Sequence, residues 1–231
     1  MSHTSARISI IIPVLNEAAD RIKSTLASVQ NVENVEVIVV DGGSQNETVA
    51  LVKSWGIPVV SSTAGRACQM NAGATAATGD ILLFLHADTS LPAGFEKLVS
   101  LTLAQSGTVA GAFELTIDSP MRSLRLVEKM ANWRSRFFSL PYGDQAIFLK
   151  ASVFQDVGGF PDLPIMEDFE FIRCLKRLGR IAIVPTPVLT SARRWQKLGV
   201  LKTTLINQIV ILGYLLGISP SRLVKFYRLK K

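Results

Sequence analysis

His86 and Asp88 stand two residues apart in GDILLFLHADTSLP (residues 79–92), directly after an apolar run from Ile81 to Leu85. An imidazole and a carboxylate at the end of a strand that reads as buried are either solvated turn residues or the tip of an active site. Other polar groups share this placement. Asn16-Glu17 follow the apolar stretch Ile8 to Val14, and Asp41 ends the run from Val35 to Val40. Three apolar runs therefore each finish on groups that accept hydrogen bonds or carry charge. Arg66 opens a small-residue, Ala-rich segment, and a guanidinium suits a phosphate. Glu167-Asp168 begins a later helical pattern. Acids there favour the positive end of the helix dipole, and a carboxylate is also a candidate general base; the two roles are compatible. Ser191-Ala192-Arg193-Arg194-Trp195 sets cations beside an aromatic ring.

The elements that must position these groups follow from periodicity. Ile8–Val14, Val35–Val40, Ile57–Ser61 and Ile81–Leu85 read as strands. Helical patterns lie between them, through Ile22, Leu26 and Val29, then Val49, Val52 and Trp55, then Arg66 to Thr78 with Gly79 as a stop. Strand-helix alternation with near-continuous apolar strands predicts a parallel sheet covered on both faces, which binds ligands beyond the carboxyl ends of its strands. The second half is less regular. Strands are predicted at Val109–Ile117, Ala146–Lys150 and Ile181–Val184. A basic amphipathic helix is predicted over Met121–Phe138, and shorter ones after Ala151 and Glu167. No internal repeat or low-complexity linker is visible.

The chain has 231 residues, 48% apolar and 19% charged, enough for a sizeable core and against disorder. Its two cysteines, Cys68 and Cys174, lie far apart, which points away from a disulfide framework or zinc site and towards a reducing compartment. The opening MSHTSARISIIIPVLNE does not read as a secretory signal, since its short apolar run contains Pro13 and meets Asn16-Glu17. Charge is unevenly spread. Thirteen of the 25 Lys and Arg residues, and none of the 18 acids, lie between Phe171 and Lys231. Such asymmetry calls for an anionic partner. Within that quarter Leu205–Ile218 is too short to span a bilayer. Lys197 and Lys202 precede it, and Arg222, Lys225, Arg228, Lys230 and Lys231 follow. This is the pattern of an interfacial helix pair at an anionic membrane surface, or of a docked helix with a solvated tail.

Six segments, IIPVLNE (11–17), VIVVDGGS (37–44), GRACQMNAGATAATGD (65–80), LFLHADT (83–89), MEDFEF (166–171) and SARRW (191–195), together resemble the family 2 glycosyltransferases. Within these the chain looks like the short bacterial members with HAD and ARRW variants. The resemblance implies a GT-A type, Rossmann-like, mostly parallel sheet with helices on both faces, followed by C-terminal amphipathic helices. Residues 1–195 would form the catalytic domain, with a nucleotide-binding half (about 1–90) and an acceptor half (about 91–195). Residues 196–231 would be a basic, apolar helical extension. It also implies inverting transfer from a nucleotide-diphosphate sugar, a UDP-sugar favoured, to a hydroxyl acceptor, with Mg²⁺ or Mn²⁺ as cofactor.

The site residues implied are as follows. Pro13, Asn16 and Glu17 wrap base and ribose, with Glu17 accepting from a ribose hydroxyl unless it is only a favoured helix-start acid. Asp41, with Ser44 nearby, accepts from the base, although Asp-Gly-Gly is also a generic turn. Gly42 stands where the family commonly has a second acid. Arg66 holds phosphate. Asn71 is a donor contact or a satisfied buried amide. Asp88 matches the metal position, and His86 replaces the acid usual before it, as ribose contact or ligand. Asp168 is the base with Glu167 as neighbour. Arg194 and Trp195 hold pyrophosphate and acceptor, and Asp144 and Gln145 line the acceptor side. A lipid-like acceptor would place the protein peripherally at the cytoplasmic face of the membrane. A sugar nucleotidyltransferase would want a Gly-rich basic loop where this chain has PVLNEAAD. A non-catalytic membrane or anion binder remains the other class, whereas a nucleic-acid binder would interleave its cations with exposed aromatics.

Overall fold

A computed structural model describes residues 6–229. Lys230 and Lys231 of the basic tail lie outside the described residues, as do residues 1–5 and the side chain of Arg228. Strands β1 (Ile8–Val14), β2 (Val35–Asp41), β3 (Val59–Ser61) and β4 (Ile81–Phe84) alternate with helices α1 (Ala19–Ala27), α2 (Thr48–Ser54) and α3 (Arg66–Ala76). Then come β5 (Thr89–Ser90), α4 (Phe95–Leu103), β6 (Thr108–Asp118), α5 (Arg122–Phe138), β7 (Phe148–Lys150), α6 (Ala151–Asp156), α7 (Glu167–Leu178) and β8 (Arg180–Ser191). Three helices close the chain: α8 (Arg193–Leu198), α9 (Val200–Leu215) and α10 (Pro220–Leu229).

All eight strands join one sheet in the order β3-β2-β1-β4-β7-β6-β8-β5. The pairs β2–β3, β1–β2, β1–β4 and β6–β8 are parallel, whereas β7 runs antiparallel to both β4 and β6, and β5 antiparallel to β8. The apolar runs are nearly continuous because both faces are covered. Side chains alternate along a strand, so Ile8, Ile10, Ile12 and Val14 of β1 enter one core with Leu83 and Leu85, while Ile11 enters the other with Leu82 and Phe84. The first core receives Ile22 of α1, Val52 of α2, Phe95 of α4 and Leu124 of α5. The second receives Met70 of α3, Phe154 of α6 and Phe171 of α7. Gly73 brings α3 against the sheet: a Cβ there would collide with Ile11 and Val40.

An aromatic cluster fixes α7 against β4. Phe160 meets Phe84 edge-on at 4.8 Å and packs, tilted, on Phe171 at 4.1 Å. The N-terminus of α7 is thereby held beside the carboxyl end of the central strands. β8 is much longer than Ile181–Val184. Pro185 and Pro187 weaken its strand pattern, and the β6–β8 register shifts there, from Phe113 opposite Val184 to Glu114 opposite Pro187. The expected C-terminal helices are present, and none among the described residues is long and apolar enough to cross a membrane. They are not a loose appendage, since α9 packs on α8, α10 and α5.

Candidate active site

The loops after β1 and β2 are tied into one unit. Asn16 adopts a left-handed backbone, φ 52°, in which its N–H donates to Ser44 Oγ at 2.9 Å and its Oδ1 accepts from the Gln45 N–H at 2.8 Å. The Asp41 carboxylate accepts from the N–H groups of Gly43 (3.1 Å) and Ser44 (3.0 Å). Beneath them the Gln69 amide donates to the carbonyls of Val14 (2.8 Å) and Val40 (2.9 Å), closing the ends of β1 and β2. Gly42 leaves space for that amide: a Cβ would lie 3.0 Å from Gln69 Cδ. The glycine standing where the resemblance leads one to look for an acid thus has a packing reason.

A cleft of about 550 Å³ opens beside these loops. Asn16 and Glu17 enter it from β1, Arg66 from the start of α3, His86 and Asp88 from the end of β4, and Glu167 and Asp168 from α7. Tyr142 and Asp144 reach it from the short helical turn Gly143–Gln145, and Arg193, Arg194 and Trp195 from α8. Asn207, Val210 and Ile211 of α9 and Tyr227 of α10 complete the wall, so the extension builds part of the site. Pro13, Asp41, Ser44, Asn71 and Gln145 do not line it. Asn71 donates to the Phe160 carbonyl (2.8 Å) and accepts from the Phe160 N–H (2.9 Å), which anchors the turn before α7. Gln145 is fully buried; its Oε1 accepts from Ser135 Oγ (2.7 Å) and Arg134 Nη2 (3.1 Å), and its Nε2 donates to the Phe113 carbonyl (2.9 Å).

Charge in the cleft is arranged around Arg193. Its Nε lies 3.1 Å from Asp88 Oδ2 and its Nη1 2.5 Å from Glu17 Oε1, which also accepts from Arg21 Nε at 2.6 Å. Burial raises the Asp88 carboxyl pKa, with Arg193 opposing. Burial, then Arg66 and Arg193, push His86 down to about 3, so its imidazole is neutral at physiological pH, and Nε2 is buried with no partner among the described residues. Asp144 is pushed up to about 6 by burial, against Arg134 and with Asp168 and Asp88 adding repulsion; its Oδ1 is also buried with no partner among the described residues. Glu167 is raised by burial and paired with Arg66 Nη1 at 3.3 Å.

Asp168 is held differently. Its Oδ2 accepts from the Gly143 N–H and its Oδ1 from the Phe169 N–H, both at 2.8 Å. The carboxylate is thus fixed by backbone rather than by a neutralising cation. Gly143 allows the contact: a Cβ would lie 3.2 Å from Asp168 Oδ2 and 2.9 Å from His86 Nε2. Arg194 stacks over the Tyr227 ring at 4.0 Å and donates to its hydroxyl, while its Nε and Nη2 are buried with no partner among the described residues. Burial, then Arg66, lower its pKa to about 10. Trp195 Nε1 likewise has no partner among the described residues.

These groups match a divalent ion held jointly with a ligand. Carboxylate oxygens at Asp88 and Asp144 and the unpaired imidazole nitrogen of His86 share one cleft, a donor set suited to Mg²⁺ or Mn²⁺. No cluster of three or more His, Cys, Asp or Glu among the described residues would hold an ion alone. Much of the coordination would therefore come from the ligand's oxygens and water. Residues that sequence reasoning passed over are Arg193, whose neighbour Arg194 drew the attention, Gln69 within the Ala-rich helix, and Tyr227. Arg193 and Gln69 lie inside the SARRW and GRACQMNAGATAATGD segments, whereas Tyr227 carried no signal.

Comparison with known proteins returns no match among curated sequences. A mannosyltransferase from Pyrobaculum calidifontis, PcManGT, solved in complex with GDP-Man and Mn²⁺, is similar at 22% identity and a TM-score of 0.63, covering 82% of this chain and 57% of its own. TarS of S. aureus (residues 1–349) is similar at 17% identity and 0.62, covering 89% of this chain and 64% of its own. The TarS complex with UDP-GlcNAc is also similar, at 17% identity and 0.61, covering 80% and 58%. The likeness is one of fold, and the chain spans about three fifths of the length of these proteins. The family model described as Glycosyl transferase family 2 matches residues 9–154.

Proposed function

We propose that this chain, which belongs to glycosyl transferase family 2, transfers a sugar from a nucleotide-diphosphate sugar to a hydroxyl acceptor with inversion at the anomeric carbon. The observation that carries the reading is the meeting, in one cleft at the carboxyl ends of β1 and β4, of a backbone-oriented carboxylate (Asp168) with acids and unpaired cationic donors suited to a diphosphate. Asn16 and Glu17 would meet the nucleoside on the side built by residues 1–90. Arg66, Arg194 and Trp195 would meet the diphosphate, where the unpartnered Nε and Nη2 of Arg194 need an anion. Residues 91–195 would form the acceptor half.

Asp168 would accept the acceptor hydroxyl's proton as that oxygen forms its bond to the anomeric carbon. The carbon–oxygen bond to the diphosphate breaks in the same step, and its electron pair leaves with the nucleoside diphosphate. Single displacement from the face opposite the leaving group inverts the centre. Held by Asp88, with Asp144 and His86 adjacent, Mg²⁺ or Mn²⁺ would neutralise charge on the leaving diphosphate. Arg193, which pairs with Asp88 and Glu17, would yield those carboxylates when donor enters. Trp195 and the α9 wall would exclude water, which competes with the acceptor.

The cationic C-terminal quarter and the apolar surfaces of α9 support an acceptor carried by a lipid, with the protein peripheral at the cytoplasmic face of a membrane. A thermal-shift panel of nucleoside diphosphates and their sugars, with and without Mn²⁺, tests the reading. A UDP-sugar is the first candidate, and the GDP series is its main rival. Metal-enhanced stabilisation by one base is expected. A flat response to every nucleotide would contradict it.

A further inference from the structure

Exposed apolar side chains gather on two neighbouring helices. On α5, Leu126, Met130, Trp133 and Phe137 recur every three or four residues, one helical face, and are 53–71% exposed. Trp133 lies 5.5 Å from Phe137 and meets Phe138 edge-on at 5.2 Å, making an aromatic knob on the surface. On α9, which packs against α5, Leu201, Leu205 and Leu212 are 57–87% exposed on the side away from the cleft. α9 is largely apolar; one side lines the cleft through Val210 and Ile211, and the other has no cover among the described residues. An uncovered apolar surface of this kind marks an interaction site.

Charge identifies the occupant. Arg122 and Lys129 of α5, and Lys202 of α9, are exposed. The one acid on α5, Glu128, is buried and accepts from the Ile117 N–H at 2.5 Å while pairing with Arg125. No acid follows Glu170. A second copy would set cation against cation on this face, whereas anionic headgroups complement it. Trp133 within the apolar stripe, flanked by exposed cations, fits the level where bilayer and water meet.

We infer that α5 and α9 form a single face that docks on anionic lipid bilayers, both helices lying in the plane of the interface. α5 thus shares with the C-terminal helices the contact that the charge pattern assigns to the latter alone. Because the inner side of α9 is cleft wall, an acceptor headgroup reaches the cleft while its chains stay in the bilayer. That consequence rests on the proposed function; the docking face itself does not.

The test is co-sedimentation of the full chain with vesicles of phosphatidylglycerol and phosphatidylcholine, against phosphatidylcholine alone. Salt-sensitive binding to the anionic vesicles is expected, as is tryptophan quenching by brominated acyl chains that disappears in Trp133→Phe. The triple variant Leu126→Gln, Met130→Gln, Phe137→Gln, with α9 intact, should bind about tenfold more weakly or worse, with circular dichroism and nucleotide-dependent thermal shift unchanged. Lys129→Glu with Arg122→Glu should erase the preference for anionic lipid. Binding of the triple variant equal to wild type, quenching retained in Trp133→Phe, equal affinity for both vesicle types, or dimerisation with no vesicle binding would each overturn the inference. Vesicle binding without any nucleotide response would leave the docking face standing and remove the proposed function.

Discussion

Replacing Asp144 by Asn should stabilise the folded protein at neutral pH while damaging the site. The Asp144 carboxyl rises from 3.8 to about 6 because burial disfavours its charge and Asp168 and Asp88 add repulsion, with Arg134 opposing. A raised folded-state pKa means that the folded chain binds the proton more tightly than the unfolded chain. The resulting stability is fully present below about pH 4 and is lost as pH rises through about 6. At ~1.4 kcal/mol per pH unit the window corresponds to about 3 kcal/mol. The residue is only partly buried although its Oδ1 is sealed, so about 2 kcal/mol is the firmer figure. The substituted amide cannot ionise, and the unpaired oxygen is a cost common to both forms. Thermal unfolding at about pH 7.5 should therefore rise by about 4–8 °C in Asp144→Asn, given ~2–4 °C per kcal/mol for a chain of this size. The gap should close as pH falls towards 4. Mn²⁺-dependent stabilisation by nucleotide should weaken in the same variant. A melting temperature unchanged or lowered at neutral pH, or a wild-type–variant gap independent of pH, would refute the reasoning.

Gly143→Ala places a methyl against His86 Nε2 and Asp168 Oδ2; transfer should fall roughly 10- to 100-fold with donor affinity retained, read as kcat against KM. Arg193→Ala removes the cation between Asp88 and Glu17, so Mn²⁺ alone should raise the variant's melting temperature more than the wild type's. Gln69→Ala leaves the buried carbonyls of Val14 and Val40 without that donor and should cost about 2 kcal/mol in denaturant unfolding.

Much of the first half of the fold was legible because the apolar runs of β1, β2 and β4, interrupted by Ser9 and Glu36, are largely buried on both faces. Their ends, Glu17, His86 and Asp88, were readable for the same reason: a polar group stops a buried strand. α4 and the two-residue β5 passed unread, and the prolines hid most of β8. The antiparallel insertion of β7 between β4 and β6 depends on pairings that no local pattern records. Side-chain roles inside shared motifs were the least legible. Asp41 and Asn71 have the residue types of ligand contacts, yet the structure turns them towards backbone N–H and C=O groups of neighbouring turns. Arg193 and Arg194 are adjacent in sequence, and the helix sends one to Asp88 and the other to Tyr227.

The proposed chemistry meets its most direct test in the release of nucleoside diphosphate from the stabilising nucleotide sugar, with Mn²⁺ present and water standing in for the acceptor. Slow release is expected from the wild type. Asp168→Asn should release it at least about 100-fold more slowly while binding the nucleotide equally well. Equal rates from the two proteins would contradict the assignment of Asp168 as the base on which the proposed reaction depends.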